Sequence, residues 1–219
     1  MHSGILILSA HLPELSGLRP TLGDDLSGTS GGGAVEARPV GIGLAAAAAG
    51  AAAALHEVGP RAVILVGTCG AYAGRGVGIG EVVVGRRLCL VSTAVAENRA
   101  AFPDPMRTTA EASAPLSVAL AQEGAREVVI ATTLAITTDD ALAAQVAGHR
   151  GCHVEHLEAF AVAEACAARG VPLAVVLGVA NMVGASAREV WRQNHAQAGD
   201  AAGALVARWL ERGAPGVRS

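Results

Sequence analysis

The sequence predicts an α/β fold of three layers, with helices on both faces of a central, mostly parallel mixed sheet. Two observations carry this. Short β-branched runs such as Ile5 to Ser9 and Arg61 to Val66 alternate with longer segments of helical character, the pattern of strands joined by crossover helices. The composition agrees: 52% of the 219 residues are hydrophobic, 16% are charged and 2% are aromatic, with 28 glycines. Small and β-branched side chains suit helices seated closely on a sheet, and so few charges argue against disorder. A length of 219 residues fits one well-filled domain over 1–219. Neither an internal repeat nor a linker divides it.

Ile5 to Ser9 reads as a first buried strand. Residues 16–34, SGLRPTLGDDLSGTSGGGA, are rich in turn formers and read as a loop. Val40, the turn Gly41-Ile42-Gly43 and the run Ala45 to Ala54 read as strand, tight turn and helix. Arg61 to Val66 is the clearest buried parallel strand and ends in Gly67-Thr68-Cys69-Gly70. Glu81 to Val84 and Leu88 to Val91 form a strand region introduced by Gly78-Ile79-Gly80. Val128 to Thr132 is a strand, Asp139 to Val146 a helix, and Glu155 to Ala168 a strongly helical segment. Pro172 to Val179 is a late strand, and Ser186 to Arg212 a long helix with room for a break.

Several classes of function are excluded. Net charge is −3, from 16 basic and 19 acidic residues, and no basic run exists, so nucleic acid is not an expected partner. The opening MHSGILILSAHLPEL has no basic stretch before its apolar run, and Glu14 interrupts it early. It reads as strand and turn rather than signal peptide. Val40 to Leu55 is too short and too rich in Ala and Gly to span a bilayer, so no membrane partner is expected. The cysteines Cys69, Cys89, Cys152 and Cys166 form no CxxC pair and have no His at metal-ligand spacing. They read as free thiols of a cytoplasmic protein without a metal. Gly41-Ile42-Gly43 lacks the third glycine and downstream acid of a dinucleotide fingerprint, and no GK[ST], HExxH or GxSxG motif occurs. No cofactor is expected.

In sheets of this kind ligands sit beyond the carboxyl ends of the strands. The residues to examine are therefore His11 to Glu14, Gly67 to Gly70, Ile136 to Thr138 and Val179 to Gly184, joined by Glu155 to Glu158.

Four segments in order add to this: Val66-Gly67-Thr68-Cys69-Gly70-Ala71, Gly78-Ile79-Gly80-Glu81-Val82-Val83-Val84, Val154-Glu155-His156-Leu157-Glu158-Ala159 and Gly178-Val179-Ala180-Asn181. Together they resemble the superfamily of nucleoside phosphorylases and nucleosidases, over Ile5 to roughly Trp191. The resemblance implies a nucleoside phosphorylase-like fold, a small-molecule purine nucleoside as partner and cleavage of the bond between base and ribose. It implies that Glu158 accepts hydrogen bonds from the ribose 2′- and 3′-hydroxyls and that Leu157 packs against the sugar. Thr68, Cys69, Gly70 and Ile136 complete the expected substrate-binding set. Glu155 is expected to cap the helix, and His156 to be an exposed helix residue. The family commonly dimerises, so a homodimer is expected.

Two departures bear on the nucleophile. Phosphorylases of the family hold phosphate with an Arg where this chain has Leu65, and the hexameric ones carry a Gly-Asp-Pro-x-Arg stretch where it has Ser9 to Glu14. An anion needs charge-assisted donors. Water is therefore the expected nucleophile, and the resemblance implies Glu14 as its general base, since it stands where nucleosidases of the family keep their water-activating Glu. Asn181, the second expected catalytic residue, stands where adenine-specific nucleosidases of the family carry Asp. An amide cannot protonate N7, but it can donate to N7 or O6 and accept from an N–H, which suits a 6-oxopurine. Asn181-Met182-Val183-Gly184, Trp191 and the Glu155-x-x-Glu158 spacing are similar to the futalosine hydrolases of this family, which implies release of hypoxanthine. Trp191 reads equally as plain core. Phosphorolysis and non-catalytic nucleoside binding are the alternatives.

Overall fold

The computed structural model describes residues 4–31 and 33–217. Met1 to Ser3 of the opening run, Gly32 of the 16–34 segment, and residues 218 and 219 of the domain expected over 1–219 lie outside the described residues.

The first strand, β1 (Gly4–Ser9), is buried along its whole length, with side chains alternating between the two faces of the sheet. Ile5 and Ile7 enter the core on one face of the sheet, Leu6 and Leu8 the core on the other. After a 3-10 turn (Leu12–Leu18) come the single-turn α1 (Arg19–Leu22), the hairpin β2 (Ser27–Ser30) and β3 (Gly33–Pro39), and α2 (Leu44–Val58). Next are β4 (Ala62–Ala71), β5 (Val82–Leu90), α3 (Thr93–Ala96), β6 (Thr109–Glu111) and α4 (Ala114–Ala121). The chain continues through β7 (Arg126–Thr132), α5 (Asp140–Arg150), β8 (Val154–His156), α6 (Ala159–Arg169), β9 (Leu173–Met182) and α7 (Ala187–Glu211).

All these strands belong to one nine-stranded sheet in the order β2-β3-β1-β4-β8-β7-β5-β6, with β9 pairing both β4 and β5. The pairings β1–β3, β1–β4, β4–β9, β5–β7 and β7–β8 are parallel. The pairings β2–β3, β4–β8, β5–β6 and β5–β9 are antiparallel. Followed round, β4, β9, β5, β7 and β8 return to β4, so half of the sheet closes into a small ring. β8 makes the closure, with Glu155 opposite Gly70 of β4 on one side and Ala131 of β7 on the other.

Helices cover both faces. α2 and α6 bury Ala47, Ala51, Val162 and Cys166 against Leu6, Leu8, Val63 and Leu65. The 3-10 turn, α4 and α7 bury Leu15, Leu18, Leu116, Leu205 and Trp209 against Ile5, Ile7, Ile64 and Val66. α5 packs Ala143, Val146 and Ala147 on Val129 and Ala131. The small residues set how closely these layers approach. A Cβ at Gly178 would lie 1.9 Å from the Ala198 carbonyl oxygen, so any side chain there would lift α7 off β9.

Four sequence expectations need correction. The 16–34 segment is not a loop: it contains the end of the 3-10 turn, α1, β2 and the start of β3, because Val35 and Ala37 alternate inward and pair with β1. The helix expected from Glu155 starts at Ala159, since Val154–His156 is the closing strand. The two short runs of 81–91 are one strand, Val82–Leu90, with a register shift between Gly85 and Arg87. α7 runs unbroken from Ala187 to Glu211. Among the described residues no helix is long and apolar enough to cross a membrane.

Candidate active site

Glu14 sits in the 3-10 turn directly after β1, with Pro13 at the turn's start. Its carboxylate is only 7% exposed and faces the end of β4. Oε1 accepts from the Thr68 backbone N–H at 3.0 Å and from the Thr68 hydroxyl at 3.1 Å, and Oε2 accepts from the Ala10 N–H at 3.2 Å. His11 Nδ1 lies 3.4 Å from Oε2. The Trp191 indole donates to Thr68 Oγ1 at 3.2 Å and stacks on His195, with ring centroids 4.2 Å apart. An indole can only donate, so it occupies a lone pair of the hydroxyl and leaves that proton for Glu14. Trp191 is thus part of the site and not plain core. Beside it, burial and then the Glu14 charge push the Cys69 thiol well above its ordinary range. Cys69 is a neutral wall and not a nucleophile.

Asn181 reaches the same space from the end of β9 through a bulge. Cys69 pairs with Val179 but Gly70 pairs with Asn181, so Ala180 is an extra residue that re-aims the strand. Asn194 of α7 holds the bulge by donating to the Ala180 carbonyl at 3.1 Å. The Asn181 amide nitrogen donates to the Met182 carbonyl at 2.8 Å. Its second N–H and its carbonyl oxygen have no protein partner among the described residues. Gly70 makes room for it, since a Cβ there would lie 2.8 Å from Asn181 Nδ2.

Glu158 stands at the N-terminal edge of α6 without a side-chain cap hydrogen bond to that helix. Its Oε1 accepts from the Gly43 N–H at 2.7 Å, which ties it to the turn before α2. Its Oε2 lies 3.3 Å from His156 Nε2. His156 is not the exposed helix residue expected: it is buried, and its Nδ1 accepts from the Glu158 and Ala159 N–H groups at 3.3 and 3.1 Å. In the neutral ring the proton is therefore on Nε2, facing Glu158. Glu155 does not cap the helix either. It is buried in the closing strand, where it accepts from Tyr72 Oη at 2.8 Å, the Thr137 N–H at 2.9 Å and Thr137 Oγ1 at 2.6 Å. Burial, and then the neighbouring Glu155, push the Tyr72 hydroxyl well above its ordinary range, so Tyr72 stays a donor.

These elements enclose a cavity of about 380 Å³, in the range of small-molecule sites. Glu14, Thr68, Cys69, Gly70, Ile136, Leu157, Glu158 and Asn181 all line it, so the residues expected to be catalytic or substrate-binding meet there. The lining also includes Glu155, His156, Arg188, Trp191 and Arg192. The arginines went unnoticed in the sequence. Their signal is spacing: 188, 191 and 192 share one face of a helix.

The chain belongs to the phosphorylase superfamily, whose family model matches residues 18–211. Among curated proteins no sequence match was found. Solved structures share its fold. The 5′-methylthioadenosine/S-adenosylhomocysteine nucleosidase of Helicobacter pylori superposes with a TM-score of 0.86 at 15% identity, covering 97% of this chain and 99% of that one. Futalosine hydrolase of Helicobacter pylori strain 26695 gives 0.86 at 15%, covering 96% and 98%. The S-adenosylhomocysteine nucleosidase of Streptococcus pyogenes gives 0.84 at 21%, covering 96% and 97%.

Proposed function

We propose that the protein is a nucleosidase that hydrolyses the N-glycosidic bond of a 6-oxopurine nucleoside, with futalosine as the substrate and hypoxanthine as the released base. One observation carries the choice of water over phosphate. Glu14 accepts both the N–H and the hydroxyl of Thr68, the donors that an anionic nucleophile at the end of β4 would need. A buried carboxylate in that seat repels phosphate and suits water. Similar folds among nucleosidases support the reading.

In the proposed reaction the C1′–N9 bond breaks and its electron pair leaves with the purine, so positive charge develops on the sugar. The Glu14 carboxylate stabilises that charge and takes a proton from the water that bonds to C1′. Glu158, steadied by Gly43 and His156, accepts from the ribose hydroxyls, and Leu157 packs on the ring. Asn181 offers its second N–H to N7 or O6 and its carbonyl to a base N–H. The departing base, its charge spread to O6, takes its proton from solvent. Large apolar side chains at the mouth, Ile42 at 64% and Ile136 at 43% exposure, support a homodimer in which a second copy covers them. Four buried free thiols fit a reducing cytoplasm.

The test is incubation with futalosine, inosine and adenosine in phosphate-free buffer, with chromatography of the released base. Hypoxanthine from futalosine or inosine, with adenosine left largely intact, is the expected result. A properly folded sample that releases no base from any of them overturns the proposal.

A further inference from the structure

A general base at Glu14 takes a proton from the attacking water in every turnover and must lose it before the next. Its own hydrogen bonds give that proton no way out. The side chain is 9% exposed, and the groups that hydrogen-bond it are the Thr68 N–H, the Thr68 hydroxyl and the Ala10 N–H. Each of them donates, and none is a base. Cys69 beside it stays a neutral thiol, raised by burial and then by the Glu14 charge. With sugar and purine in the cavity, the open side of the carboxylate is covered as well. His11 differs from all of these. Its Nδ1 lies 3.4 Å from Glu14 Oε2, and its side chain is 32% exposed, so the ring stands between a buried carboxylate and solvent. Its backbone is fixed, because its carbonyl accepts from the Ser9 hydroxyl at 2.9 Å and from the Glu14 N–H at 3.1 Å. Among the described residues the ring has no other polar partner. An imidazole can accept a proton at one nitrogen and release one from the other. When the neutral ring carries its proton on Nε2, Nδ1 and the carboxylate are two acceptors with nothing to share, and 3.4 Å is longer than an ordinary hydrogen bond. Once Glu14 is protonated, its O–H can donate to Nδ1, and a small turn of the half-open ring closes the gap.

We propose that His11 relays the proton from Glu14 to solvent: Nδ1 takes the proton that Glu14 received from water, and Nε2 gives up its own. One proton enters the imidazole and one leaves it, and no electrons change hands. Solvent, which receives that proton, returns one to the departing purine. The inference rests on reading Glu14 as the general base. His11 acts through Glu14, by resetting its charge between turnovers.

The experiment measures turnover of inosine or futalosine by the unaltered protein, His11→Gln and His11→Asn, at fixed pH and ionic strength, with imidazole varied. Both amides keep a polar side chain that cannot relay a proton. In the variants kcat should fall by about tenfold or more, within the range of a lost proton-transfer group, while KM and calorimetric affinity for hypoxanthine stay nearly unchanged. Imidazole added to the buffer should restore much of the lost kcat in the variants and leave the unaltered protein unaffected. Undiminished kcat in either variant overturns the inference. So does a loss that imidazole does not repair, which would make His11 a packing residue. Turnover of the unaltered protein that climbs with imidazole also overturns it, because a built-in relay leaves a soluble base nothing to add, and that measurement needs no variant to fold. Glu14→Gln serves as the control. If it loses turnover while both His11 variants keep theirs, this inference alone ends. If it turns over at the full rate, or if the unaltered protein cleaves neither nucleoside, the general-base reading ends with it.

Discussion

Thr68 donates twice to one oxygen of Glu14, from its backbone N–H at 3.0 Å and its hydroxyl at 3.1 Å. The pair joins the ends of β1 and β4, which lie side by side in the sheet. A carboxylate from the 3-10 turn after β1 is thereby fixed against Thr68 inside β4, which continues through the glycine-rich segment to Ala71. Its position is set by backbone and not by a mobile rotamer, as a group that must orient a water requires.

If Glu14 is the general base, Glu14→Gln removes proton acceptance while leaving most contacts in place. Turnover should fall by about 100-fold or more, with KM changed only a few-fold. Steady-state kinetics on inosine or futalosine checks this. A variant with undiminished kcat would show that another group activates the water.

Trp191 acts on Glu14 only through Thr68. Trp191→Phe deletes the indole donor and frees the hydroxyl to turn away, a loss of about 1 kcal/mol and several-fold in kcat. The distinguishing measurement is the double-mutant cycle with Glu14→Gln. In the Glu14→Gln background the Trp191 substitution should cost markedly less. A full, additive loss would mean that Trp191 contributes only packing.

The amide of Asn181 presents a donor but no ionisable proton. Asn181→Asp should raise the ratio of adenosine to inosine cleavage by about tenfold or more, because a protonated acid can give N7 a proton in the transition state. Competition assays with both substrates measure the ratio. An unchanged ratio would remove Asn181 from base recognition.

Glu155 lines the cavity but is saturated by Tyr72 and Thr137, so its role is structural. Glu155→Gln leaves buried donors poorly matched and should destabilise the fold by about 1–3 kcal/mol, lowering Tm by several degrees. Urea denaturation and thermal melts report it. Unaltered stability with lost activity would instead make Glu155 a substrate contact.

The legible parts of this molecule are those specified by local pattern. β-branched runs mark β1, β4, β7 and β9, and the rule that ligands lie beyond strand ends groups Glu14, Thr68 and Asn181 from sequence alone. What was illegible depends on partners distant in sequence. Val154-Glu155-His156 runs into a helix and looks like its first turn, yet β4 and β7 draw it into a strand. The hairpin β2–β3 hides among Gly, Ser and Thr, because only Val35 and Ala37 of its inner strand face the core. Between residues 92 and 127 the sequence pattern is silent, because α3, β6 and α4 are short and lack a strong helical or strand period. Arg188 and Arg192 carry no motif, and only the course of α7 past the cavity gives them meaning.

The most direct measurement is turnover of inosine or futalosine in oxygen-18-labelled water containing inorganic phosphate, with mass spectrometry of the sugar product. Activation of water by Glu14 requires one labelled oxygen on C1′ of a free sugar, at a rate that added phosphate does not raise. An unlabelled sugar 1-phosphate, formed faster as phosphate is added, would contradict the account.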